Sequence, residues 1–81
     1  MNRLELKVKL DLLGVNPRLY SLNGELNPDA VVLYDNRQCW EVFYYDERGG
    51  RNNIHFFPNE NEACEYIFQE FKSLKSLKGK W

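Results

Sequence analysis

The stretch Cys39-Trp-Glu-Val-Phe-Tyr-Tyr-Asp-Glu-Arg-Gly-Gly-Arg-Asn-Asn-Ile-His-Phe-Phe57 constrains the fold more than any other. It reads as two strands joined at a glycine turn, because glycine accepts the positive φ that tight hairpins need. Side chains alternate between the faces of a strand. Trp40, Val42 and Tyr44 therefore share one face, and Glu41, Phe43, Tyr45 and Glu47 share the other. Both faces carry aromatic residues. One should be core, and the other should be polar unless something covers it.

A chain of 81 residues forms one domain, here spanning 1–81. A domain of this size buries only about 60–65% of its unfolded surface, so each buried aromatic matters. Aromatics make up 15% of the chain. Mean hydropathy is −0.63, and no apolar run approaches the roughly 20 residues of a membrane span. The N-terminus has alternating charges and no continuous apolar segment, so it does not read as a secretory signal.

Leu4–Leu13 alternates like a strand but also satisfies helical spacing. Leu6, Leu10 and Leu13 form one stripe, and Leu4, Val8 and Leu12 a neighbouring one. Gly14 and Asn16-Pro17 favour a helix, since they supply a left-handed cap and a stop. Asn16 and Pro17 then begin a single helical turn. The segment from Arg18 to Asp29, with turns at Asn23-Gly24 and Asn27-Pro28, reads as a loop fastening Tyr20 and its leucines onto the core. Ala30–Tyr34, Trp40–Asp46 and Asn53–Phe57 read as three strands of an antiparallel meander.

The last helix starts at Asn59, with Glu62 three residues on in a capping-box arrangement. Its apolar stripe is Ala63, Ile67, Phe71 and Leu74, flanked by Cys64 and Phe68. Glu60 and Glu62 suit the N-terminal end of its dipole, and Lys72 and Lys75 the C-terminal end. Residues 78–81 read as a frayed tail. The expected fold is α+β: an N-terminal helix, a three-stranded antiparallel β-meander, and a C-terminal amphipathic helix packed on one sheet face. The other face is then free.

Charge is uneven. The net charge is −1, but Met1–Gly24 carries +2, Glu25–Glu70 carries −7 and Phe71–Trp81 carries +4. An acidic centre argues against direct nucleic-acid binding, which needs phosphate-neutralising Lys and Arg. It suits a basic protein partner. The two cysteines, Cys39 and Cys64, have neither CxxC nor zinc spacing and read as reduced thiols of a cytoplasmic protein. The single histidine, His55, lies on a strand without a nearby nucleophile in sequence. Asp46 and Glu47 are adjacent in a strand, so their side chains diverge, a poor geometry for shared acid–base work. No catalytic fingerprint, metal-ligand spacing or cofactor motif is present. The expectation is a non-enzyme without cofactor or metal.

Three pieces carry a family resemblance: Gly14-Val-Asn-Pro-Arg-Leu-Tyr-Ser-Leu-Asn-Gly24, Trp40-Glu-Val-Phe-Tyr-Tyr-Asp-Glu-Arg-Gly49 and Asn61-Glu-Ala-Cys-Glu-Tyr66. From about Gly14 to Phe71, the chain resembles small bacterial immunity proteins encoded beside polymorphic or contact-dependent growth-inhibition toxins. The resemblance implies stoichiometric binding of a cognate toxin domain, often a basic nuclease, in the producer's cytoplasm. It supplies no contact map, and Tyr20, Trp40 and Glu62 can equally specify the fold. The contacts expected from the strand faces and hairpin ends are Asp35, Glu41, Phe43, Tyr45, Asp46, Glu47, Arg48 and Arg51. Aromatics interleaved with charge are typical of interface hot spots. A monomer is expected. An RNA-contacting or adaptor module is the alternative reading. A small cysteine-dependent hydrolase is a further one, and it would require an abnormally reactive Cys39 or Cys64.

Overall fold

The fold is seen in a computed structural model, which describes residues 1–78 and the side chains through Ser73. It consists of helix α1 (Arg3–Leu13), a 3-10 turn (Pro17–Leu19), strands β1 (Tyr20–Ser21), β2 (Ala30–Asp35), β3 (Trp40–Tyr45) and β4 (Arg51–Phe57), and helix α2 (Glu60–Lys78). The strands form one sheet in the order β1-β2-β3-β4. The α+β class is as expected, but the sheet is four-stranded and mixed rather than a three-stranded antiparallel meander. Tyr20 and Ser21, read above as loop, pair in parallel with Val31 and Val32. β2, β3 and β4 are antiparallel neighbours.

Local signals place the helix ends. Asn2 caps α1 with a reciprocal box: Glu5 N–H donates to Asn2 Oδ1 at 2.9 Å, and Asn2 N–H donates to Glu5 Oε1 at 3.3 Å. Gly14, at φ 81°, closes the helix in the left-handed conformation. Asn16 accepts from Arg18 N–H at 2.9 Å and starts the 3-10 turn at Pro17. Asn59 Oδ1 accepts from Glu62 N–H at 2.8 Å. The Glu62 carboxylate returns to the Asn59 side-chain amide at 3.4 Å, rather than to a backbone N–H.

Only one of the two apolar stripes on α1 is used for packing. Leu6 and Leu10 are fully buried, whereas Leu4, Val8 and Leu12 are 78%, 58% and 82% exposed. The core joins Leu6 and Leu10 to Val15, Tyr20, Leu22, Leu33, Val42, Ala63, Cys64, Ile67 and Phe71. Trp40, Val31 and Phe57 pack against its edge. Tyr20 and Phe71 meet edge-to-face with ring centroids 6.3 Å apart. Arg3 ties the helices together: its N–H and its Nε both reach Glu60 Oε2, at 2.8 and 3.3 Å, and its guanidinium lies 5.4 Å from the Trp40 ring centroid. The Met1 amino group adds a hydrogen bond to Asn61 Oδ1. The expected stripe on α2 holds for Ala63, Ile67 and Phe71, with Cys64 beside it. The Leu74 and Lys75 side chains and the end of the tail lie outside the described residues.

Both helices thus lie on one face of the sheet, the face that carries Trp40 and Val42. Tyr44 shares that face but sits beyond the core and is 39% exposed. No helix among the described residues is long and apolar enough to cross a membrane.

Candidate functional site

The face opposite the helices is built from alternate residues of three strands. Their register places Val32 beside Phe43, Tyr34 beside Glu41, Glu41 beside Phe56, and Tyr45 beside Arg51. Between Val42 and Tyr44 the β3–β4 register shifts. β4 has two residues, Asn53 and Ile54, where β3 has only Phe43, and Asn53 takes φ 54°. Asparagine tolerates that left-handed conformation better than most residues. The bulge keeps Ile54 and Phe56 on the same face as Arg51. They are 41% and 65% exposed.

This face has a small second core. Ala30, Val32 and Phe43 are buried, at 0%, 0% and 1% exposure, outside the cluster that the helices cover. The Arg51 guanidinium covers Phe43 at 4.8 Å from the ring centroid and reaches Tyr34 at 5.8 Å. The loop between β1 and β2 closes on the same ring: a Cβ on Gly24 would lie 3.1 Å from Tyr34 Cδ1. At φ 79°, Gly24 also needs the conformation that glycine permits.

The residues expected to contact a partner fall into three groups. Glu41, Tyr45 and Arg51 lie on the helix-free face, with Glu41 and Tyr45 half-buried and Arg51 exposed. Phe43 lies beneath them and offers its ring to Arg51 rather than to solvent. Asp46, Glu47 and Arg48 belong to the β3–β4 turn, with Asp46 half-buried and Glu47 and Arg48 exposed. Asp35 pairs with Trp40 at the end of β2 far from the β3–β4 turn, on the opposite face of the sheet from Glu41 and Tyr45.

Three of the carboxylates have structural partners. Asp46 Oδ1 accepts from Arg48 and Gly50 N–H at 2.9 and 2.8 Å, and its Oδ2 accepts from the Asn52 amide at 3.0 Å. Hydrogen bonding, led by the Gly50 N–H and then the Asn52 amide, holds the Asp46 carboxyl below its ordinary pKa. Asp35 Oδ1 accepts from Arg37 N–H at 2.8 Å, and Glu41 Oε2 accepts from the Asn36 amide at 2.7 Å. These bonds brace the two hairpin turns. Ile54 and Phe56 are the residues that sequence reasoning missed. Their apolar side chains alternate in β4, but the bulge hides which of them join Phe43.

The thiols occupy different settings. Burial, and then Glu60, pushes the Cys64 thiol up to about 11, so it is not a thiolate at neutral pH. Cys39 is half-buried beside β3, and its sulfur accepts from the Asn36 amide at 3.2 Å. His55 stacks on Tyr66 with centroids 4.8 Å apart, exposed on β4. No group of three metal-ligating side chains occurs among the described residues.

No protein-family profile, curated protein or solved structure matches the chain, so the reading of this face rests on its own residues.

Proposed function

We propose that this chain is an immunity protein that neutralises a cognate bacterial toxin domain, most simply a basic nuclease, by stoichiometric binding in the cytoplasm. One observation carries the reading. A sheet face free of helices presents exposed Phe56 and Ile54 beside Tyr45, Glu41 and Arg51, with Glu47 and Arg48 at its end. A partly apolar centre bordered by charge is the composition of an interface that binds tightly through a few anchors. The net charge of −7 over Glu25–Glu70 would steer a basic partner toward it. The sequence resemblance points to the same class of function. Inhibition would follow from occlusion of the toxin, with the folded chain acting as a rigid plug.

Co-expression with the protein encoded immediately upstream tests the reading. Cell survival together with co-purification of a one-to-one complex is the expected result. Cell death without a complex would remove the proposal. Salt-sensitive binding of RNA by the purified chain would then favour the nucleic-acid alternative.

A further inference from the structure

On the helix-bearing side of the sheet, between β3 and the middle of α2, there is a cavity of about 240 Å³. Buried Val42 and Ile67, with half-buried Val31, make its apolar floor. Tyr44 and Tyr66 form walls, and Glu70, exposed on α2, stands at the rim. Each phenol is associated with a carboxylate. The Tyr44 hydroxyl donates to Asp29 Oδ1 at 3.0 Å. The Tyr66 hydroxyl lies 3.4 Å from His55 Nδ1 and is pushed up to about 12 by burial and then by Glu70. Asp46 and Glu47 also act on the Tyr44 hydroxyl electrostatically. No lysine or arginine occurs among the described residues that line the cavity.

An apolar floor, two aromatic walls and a carboxylate rim select one kind of guest. A ring's negative face attracts a cation; Tyr44 is 39% exposed, whereas Tyr66 also stacks on His55 and Phe57, at centroid distances of 4.8 and 5.2 Å. Glu70 supplies a charge-assisted acceptor. The floor suits a methylene stem, which Lys and Arg lay along apolar surface while keeping the charged head near water. The volume lies below the roughly 300–1,000 Å³ of small-molecule sites, so it suits a single side chain. We propose that this cavity receives one basic side chain, arginine or lysine, of a protein partner, with its stem on Val31, Val42 and Ile67 and its cationic head between Tyr44, Tyr66 and Glu70. This rests on the function proposed above and adds to it a contact on the other side of the sheet from Phe56 and Tyr45, so a basic toxin that used both would have to reach around the end of the β3–β4 hairpin.

The test uses the isolated full-length chain with 15N labelling. N-acetyl-arginine methylamide is titrated in, with N-acetyl-citrulline methylamide as a near-isosteric neutral control. The expected result is a saturable shift of the Val42, Tyr66, Ile67 and Glu70 amides by the arginine probe, with a much weaker response to citrulline. Glu70→Gln, a substitution at an exposed helix position, should weaken the arginine probe about threefold, as expected for a solvent-exposed ion pair. Equal response to both probes, no response at these amides, or undiminished binding by Glu70→Gln would overturn the assignment. The outcome is separable from toxin rescue. A toxin complex formed by a chain that ignores the arginine probe would remove the cavity alone. An arginine response without toxin rescue would remove the toxin reading and leave a site for basic side chains.

Discussion

The Arg51 guanidinium lies 4.8 Å from the centroid of the Phe43 ring and shields it from water on a face that no helix covers. That contact covers the second aromatic side of a strand whose other side is core. One side is core under the helices. On the other, a long cationic side chain and the β1–β2 loop take the place of a second layer. Arg51→Ala should therefore uncover Phe43 and cost about 0.5–1 kcal/mol, the range of an exposed cation–π contact. Arg51→Lys should recover part of this in urea denaturation. A variant as stable as the wild type would show that the contact contributes nothing.

The two stripes of α1 should differ sharply under substitution. Leu10→Ala removes a fully buried side chain and should cost about 2–5 kcal/mol. Leu12→Ala, at a site 82% exposed, should stay within about 0.5 kcal/mol of the wild type. Phe71→Ala should cost about 3–5 kcal/mol, since its ring is buried against Tyr20. Thermal melts of these three variants check the helix packing directly.

Binding should separate from stability on the helix-free face. Replacing Tyr45 or Glu47 by alanine should weaken toxin binding by more than about 1 kcal/mol, with folding intact. Phe56→Ala belongs with them, because its ring is the most exposed aromatic on that face. Calorimetric titration of each variant against the toxin domain is the measurement. Normal binding by all three would assign the interface to another surface.

Asp46 should contribute to the acid limb of the stability curve. Its folded-state pKa lies below the unfolded value, so the native state binds fewer protons than the unfolded state across that interval. The stabilisation is present above the unfolded value of about 3.9 and is lost as pH falls through the folded one. Asp46→Asn should therefore lower stability at neutral pH, with a difference from wild type that shrinks as the solution is acidified. Guanidinium melts at pH 7 and pH 2.5 would show it. A pH-independent difference would mean that Asp46 acts through the neutral hydrogen bonds of the turn alone.

Thiol alkylation should be slow at Cys64 in the native state, because the side chain is fully buried and its pKa is raised to about 11. Mass mapping after brief exposure to iodoacetamide should find Cys39 modified first. Rapid labelling of Cys64 would contradict its packing and revive a cysteine-dependent reading.

Short-range chemistry was legible in the sequence. Gly14, Asn16-Pro17 and Asn59 with Glu62 each satisfy backbone groups within a few residues, so they placed helix ends without reference to the rest of the chain. Period-two alternation likewise assigned Trp40 and Val42 to one face and Glu41, Phe43 and Tyr45 to the other. Long-range relationships were not legible. β1 has only two residues, too few for any periodicity, and exists because Val31 and Val32 offer an edge to pair with. The exposure of Leu4, Val8 and Leu12 depended on which side of α1 met α2, and both stripes had adequate spacing. The bulge at Asn53 set the register that brings Ile54 and Phe56 beside Phe43. Tyr44, Tyr66 and Glu70 meet at one cavity only because α2 packs back over β3. Sequence determined where the chain turns and which residues share an element; tertiary packing decided which apolar side chains are covered, because coverage depends on partners distant in the chain.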